Sequence, residues 1–363
     1  MTTHFLRDIL RQPAELRRTL DYLAAQGRPA LDEAANIVQS ARHVYLTGIG
    51  SSWHAALAAG ALFHGNGIPV HLLDASELAH GGAFPPNSAL VVISRSGRSA
   101  EIIGLLSKAQ RCGARVVGIT NVAEGCLARE SHTPIVIPVA LDHAISVNTY
   151  STLAAAAGVL ASIAADSFDA PLSPSLTDAL ADAELSLPTW QREIEDSPWF
   201  SPGATYYFLG RGSSLGTCHE ARLLWEEGAK SAATAMGTGS FRHGPQEIVG
   251  KGMRFAMWID GRRMREEDLA VARDLRQLGA SVMLIGQRLP ENAADLTLQL
   301  PAISPAWQFL TEIIPAQLAA ERLARLSGVD CDSFRICSYV VENEYGLLPE
   351  EIGVPKRVPK NEK

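Results

Sequence analysis

The chain has 363 residues, 47% hydrophobic and 20% charged, with a formal net charge of −7. That length exceeds the ~100–200 residues of one ordinary domain and predicts two lobes, and the hydrophobic content excludes a disordered chain. The acidic balance argues against a broad basic surface for nucleic acid or anionic lipid, so an anionic ligand needs a local, built site.

The opening stretch MTTHFLRDILRQPAELRR carries charges every few residues and does not read as a signal peptide. Residues 3–41 read as two amphipathic helices broken around Gly27 and Pro29. Five short apolar runs follow: VYLTG (44–48), PVHLLD (69–74), ALVVIS (89–94), ARVVGIT (114–120) and PIVIPV (134–139). Each is apolar on both faces, and helical patterns separate them. That combination predicts a parallel sheet covered on both sides, the doubly wound α/β layout. The alanine-rich stretch near 153–165 falls short of the ~18 apolar residues of a bilayer span and reads as a buried helix. Residues 166–175, DSFDAPLSPS, read as a linker.

A second series has strands at TYYFLG (205–210), MRFAMWID (253–260) and ASVMLIG (280–286), with DLTLQLP (295–301) as a candidate edge. The two series align. VYLTGIGSSWHAALAAG (44–60) matches YFLGRGSSLGTCHEARL (207–223), and RCGARVVGIT (111–120) matches QLGASVMLIG (277–286) at nearly the same separation. Duplication of one α/β unit explains both matches. Where the first copy has VVISRSGRSAEII, the second has AMWIDGRRMREEDL, so a serine-based anion turn is expected only in the first.

Ser94-Arg95-Ser96-Gly97-Arg98-Ser99 follows a buried strand and opens a helix over 100–112. Helix N-terminal amides and hydroxyls together suit a phosphate, whereas simple capping requires one hydroxyl, not three. Gly48-Ile49-Gly50-Ser51-Ser52 ends another strand on the side where doubly wound sheets bind ligands. It lacks the third glycine and acidic partner of a dinucleotide fingerprint. In the second lobe, Glu226 and Glu227 lie on a predicted helix 215–230, about sixteen residues before the stiff loop Gly239-Ser240-Phe241-Arg242-His243-Gly244-Pro245. A carboxylate and an imidazole suit proton transfer beside a sugar carbonyl. Paired glutamates on a helix are also the mark of a solvated face, and a loop histidine can be without a chemical role. The tryptophans read as packing residues, and His54, His64, His71 and His80 show no metal-ligand spacing. No cofactor box emerges, so no cofactor or metal is expected. Five scattered cysteines without a CxxC pair fit a reducing cytoplasm.

With these residues in view, the chain resembles the tandem sugar isomerase (SIS) domain family, as found in the isomerase half of glucosamine-6-phosphate synthase. GSSWHAAL, SRSGRSAE, SVNTY (146–150), FLGRG (208–212) and FRHGPQEIV (241–249) carry the resemblance, in order. It implies two flavodoxin-like parallel-sheet domains at 36–168 and 196–330. These are accompanied by N-terminal helices at 1–35, a linker helix at 169–195 and an extended tail at 331–363. By the same resemblance Ser94, Arg95, Ser96 and Ser99 hold the phosphate, Ser51 and Ser52 contact the sugar, and Ser146 lines its far side. Glu227 moves a proton between C1 and C2, and His243 assists ring opening from the partner subunit of a homodimer.

Three departures stand out. Leu224, Tyr339 and Asn148 occupy positions where the synthase pattern has lysines, leaving Lys230 or a tail lysine such as Lys356 as substitutes. The chain starts Met1-Thr2-Thr3, without the cysteine nucleophile of a glutaminase half. The expected activity is therefore aldose–ketose isomerisation, or deamination or deglycation, of a hexose or amino-hexose 6-phosphate. The alternative is a non-catalytic sugar-phosphate sensor.

Overall fold

A computed structural model describes residues 2–168, 172–344, 346 and 347. Residues 1, 169–171 and 345 and all of the tail beyond 347, Lys356 included, lie outside the described residues.

Helices α1 (His4–Ala24) and α2 (Arg28–Ser40) precede the first lobe. That lobe runs β1 (His43–Thr47), α3 (Ser51–Gly65), β2 (His71–Leu72), α4 (Ala75–His80), β3 (Ser88–Ile93), α5 (Ala100–Cys112), β4 (Arg115–Thr120), α6 (Cys126–Glu130), β5 (Thr133–Val136) and α7 (Asn148–Ala164). Helix α8 (Leu172–Asp196) leads to the second lobe: β6 (Tyr206–Gly210), α9 (Ser213–Glu227), β7 (Ala233–Gly237), α10 (Thr238–Phe241), β8 (Arg254–Ile259), α11 (Arg265–Gln277), β9 (Ser281–Gly286), β10 (Leu296–Gln299) and α12 (Phe309–Ser327).

Each lobe has a five-stranded, all-parallel sheet, in the orders β2-β1-β3-β4-β5 and β10-β9-β8-β6-β7. Read from the opposite edge, the second order repeats the first, so the duplication seen in the residues is a duplication of topology. The turns entering α3 and α9 repeat it at backbone level. Gly50 has φ 57° and ψ −132°, and Gly212 has φ 55° and ψ −128°, a conformation that favours glycine. In both sheets the strand order reverses direction between the first and third strands, the place where doubly wound folds accept ligands.

The two lobes join through equivalent helices, with α3 packed on α9. Gly216 makes the approach possible, because a Cβ there would lie 2.6 Å from the Ala58 amide nitrogen and 2.7 Å from the His54 carbonyl oxygen. The expected buried alanine-rich helix is α7, every residue of which is buried, against α1, α2 and α3. Among the described residues no helix is long and apolar enough to cross a membrane.

The linker reading of 166–175 extends too far, since α8 begins at Leu172. Pro174 falls in the first turn, where proline costs no hydrogen bond. Strand β7 went unpredicted: its sequence, ATAMG, has Thr234 as its sole β-branched residue and no aromatic one to mark a strand.

Candidate functional site

The carboxyl ends of β1 and β3 open into a cleft of about 200 Å³. Ser51 and Ser52 from the start of α3, and Ser94, Arg95, Ser96 and Ser99 from the β3–α5 turn, form one wall. Ser146 comes from the loop before α7 and Glu227 from the last turn of α9, while residues 337–341 of the C-terminal segment cross the remaining side. Eight of the nine expected site residues thus meet in one place. His243 does not: it lies exposed on the loop after α10, outside the cleft of its own chain.

The serine turn is built to leave hydroxyl protons available. Ser94 Oγ accepts the Gly97 amide at 3.1 Å and Ser96 Oγ accepts the Arg98 amide at 3.2 Å, so each O–H remains free to donate. Ser99 is the N-cap residue of α5, yet its hydroxyl makes no capping bond. Gly97 holds φ at +62°, and a Cβ there would press to 2.9 Å from Leu127 Cβ.

Arg95 is arranged differently from a simple phosphate ligand. Its guanidinium donates to Ser146 Oγ at 3.0 Å and to the Tyr339 carbonyl at 2.6 Å, and lies 3.9 Å over the Tyr339 ring. The tail is further tied by the Val341 carbonyl, which accepts the Ala100 amide at 3.0 Å.

Glu227 is the carboxyl group of the cleft suited to acid–base work. Burial pushes its pKa up to about 7, the charge of Glu220 adds to the rise, and Arg95 and Lys230 oppose it. Glu220, two helical turns earlier on α9, is fully buried, and burial raises it to about 8. Its Oε2 sits 2.7 Å from Nδ1 of buried His54, which burial holds down to about 3. This interlobe pair was not expected from the residues, although the seven-residue spacing to Glu227 places both carboxyls on one helix face.

The departures have structural explanations. Leu224 is fully buried in the core. Asn148 is also buried, donating to Asp142 Oδ1 at 2.8 Å and the Asp8 carbonyl at 3.0 Å. Asp142 additionally accepts the amides of Val147, Asn148 and Thr149, which shapes the loop that presents Ser146. Lys230 Nζ donates to the Glu227 and Ser333 carbonyls. Among the described residues no lysine lines the cleft.

In the second lobe the corresponding helix start, that of α11, carries Glu266, Glu267 and Asp268. Buried Asp268 receives Arg211 Nε at 3.0 Å and Nη2 at 2.9 Å. The first turn of this helix thus carries the chain's own negative charge, paired with Arg211. Among the described residues no group of three or more His, Cys, Asp and Glu side chains could hold a metal.

Fold and cleft together define a duplicated, doubly wound α/β protein with a hydroxyl-lined pocket beside a titratable carboxyl group. Residues 37–163 match the family model of the SIS domain, and the two parallel five-stranded sheets match the fold of tandem SIS domains. It is 26% identical over 342 residues to a glutamine–fructose-6-phosphate aminotransferase (isomerizing) of Pyrococcus horikoshii, covering 91% of this chain and 56% of that protein. It therefore spans somewhat more than half the length of this curated relative. The C-terminal domain of a Francisella tularensis glucosamine-fructose-6-phosphate aminotransferase superposes with a TM-score of 0.82 at 22% identity, over 92% of this chain and 98% of that one. A glucosamine-6-phosphate deaminase of Thermotoga maritima gives 0.78 at 23%, over 93% and 99%.

Proposed function

We propose that the chain is a phosphosugar enzyme that releases an amine from a nitrogen-bearing hexose 6-phosphate, with Glu227 as the proton carrier. The observation that carries this reading is a carboxyl group with a pKa raised to about 7 sharing one cleft with the SRSGRS hydroxyls, with no lysine among the described residues that line it. Ser94, Ser96 and Ser99 hold the phosphate, and Ser51, Ser52 and Ser146 bind sugar hydroxyls. Glu227 takes a proton from the nitrogen-bearing carbon and returns one to the neighbouring carbonyl carbon. The C–N bond becomes an imine, water adds to its carbon, and the amine leaves. Water is the sole co-reactant. His243 serves ring opening from the partner of a homodimer, consistent with its position outside its own cleft. The free cysteines accord with a cytoplasmic setting.

Incubation with glucosamine 6-phosphate and with ketosamine 6-phosphates, measuring sugar phosphate and amine together, tests the reading. Equal molar release that Glu227→Gln lowers by ~10²–10⁴-fold is the expected result. Interconversion of aldose and ketose phosphates without action on any amine would instead make it an isomerase. Tight binding without turnover would make it a sensor.

A further inference from the structure

Beyond Glu227 the cleft does not end. A second cavity of about 390 Å³ shares Glu227, Phe334 and Cys337 with the first, and none of the serine-turn residues lines it. With phosphate at the serines, the reacting end of the sugar faces this cavity, so whatever the sugar nitrogen carries extends into it.

The walls indicate what that group is. Ile336 and Ala232 join Phe334 in an apolar lining, while Lys230 and Arg335 supply two cations. Lys230 Nζ gives protons to the Glu227 and Ser333 carbonyls, leaving one of its three N–H groups for a ligand. Neither cation forms an ion pair with a carboxylate among the described residues, and Arg335 has no hydrogen-bond partner among them. Glu226, the other acid on this wall, is already paired with Arg222 at 3.1 Å. Burial lowers the Lys230 pKa, the charges of Asp330 and Glu227 oppose that fall, and the charge of Arg335 adds to it. Two like charges at the mouth of an apolar cavity continuous with a reaction centre favour an anion on a short aliphatic stem.

We propose that this cavity is the subsite for the N-substituent of the substrate, and that it selects an amine bearing a carboxylate, held by Arg335 and Lys230. The inference rests on the amine-releasing reading above and specifies the amine as an amino-acid-like group in place of ammonia.

Calorimetric binding of unreactive 1-amino-1-deoxyhexitol 6-phosphates tests it independently of turnover. The probes carry N-carboxymethyl or N-(3-carboxypropyl) groups, each compared with its carboxamide. At least one carboxylate should bind roughly tenfold tighter than its amide, the scale of one charge-assisted hydrogen bond. Arg335→Ala should bring that ratio towards one, and Arg335→Lys should keep most of it. Equal binding of carboxylate and carboxamide by the wild type, or a ratio unmoved by Arg335→Ala, overturns the subsite while leaving amine release standing. Failure of every hexitol phosphate to bind overturns both readings.

Discussion

Arg95 allows a direct test of how the cleft is closed. Replacing it with methionine keeps the aliphatic stem but removes the donor to the Tyr339 carbonyl and the cation over the Tyr339 ring. At a partly exposed site these are together worth about 2 kcal/mol, so the fraction of molecules with residues 339–341 detached should rise roughly 30-fold. The other ties, Lys230 to the Ser333 carbonyl at 2.8 Å and the Tyr339 hydroxyl to the Asp142 carbonyl at 3.4 Å, remain in place. The change is therefore local. Native-state hydrogen exchange should show it at the Ala100 amide, whose acceptor is the Val341 carbonyl, while the melting temperature moves little because the tail lies outside the core. Calorimetry with inorganic phosphate supplies the contrary outcome. If Ala100 exchange is unchanged and phosphate affinity falls tenfold or more, Arg95 is an anion ligand and its place as a tail anchor is wrong.

Stability should depend on pH with a sign that the buried groups determine. Glu227 and Glu312 are raised to about 7 and Glu220 to about 8, so above pH 6.5 the folded chain holds protons that the unfolded chain has lost, and stability falls as pH rises towards 8. Below 6.5 the low values of His54, about 3, and His219, about 4, act in the opposite sense. Melting temperatures at constant ionic strength should decline from pH 6.5 to 8, less steeply in Glu312→Gln; a rise would contradict the assignment. Gly97→Ala combines a positive φ with a 2.9 Å approach to Leu127 and should cost about 2–4 kcal/mol by chemical denaturation. Phosphate binding should be lost with it, whereas undiminished binding would separate turn geometry from anion recognition. Gly216→Ala pushes against the Ala58 and His54 backbone and should destabilise the interlobe contact by about 1–3 kcal/mol in the same assay.

What could be read from the residues depended on whether the signal was local. The β-branched runs, the paired GxGSS turns and the serine-rich helix start are contiguous, and nine of the ten strands were legible on that basis. β7 was not, because ATAMG forms a strand only through its pairing with β6. The substitutions at 224, 339 and 148 could be seen as departures, but not their consequences: Leu224 supports a core, Asn148 a loop, and Tyr339 carries the guanidinium of Arg95. Pairing of Glu220 with His54 depends on α3 meeting α9, which no local pattern encodes.

That same contact explains how two copies of one unit come to serve a single cleft. Packing α3 on α9 brings the last turn of α9, with Glu227, alongside the β3–α5 turn of the other lobe. A carboxyl group from one copy thereby stands beside hydroxyls from the other. The corresponding helix start in the second lobe differs, since Asp268 in the first turn of α11 is paired with Arg211. Loss of the serines and gain of this ion pair are two sides of one specialisation. An anion at α11 would meet the acidic side chains Glu266, Glu267 and Asp268 of its first turn, whereas at α5 it meets hydroxyl protons already free to donate.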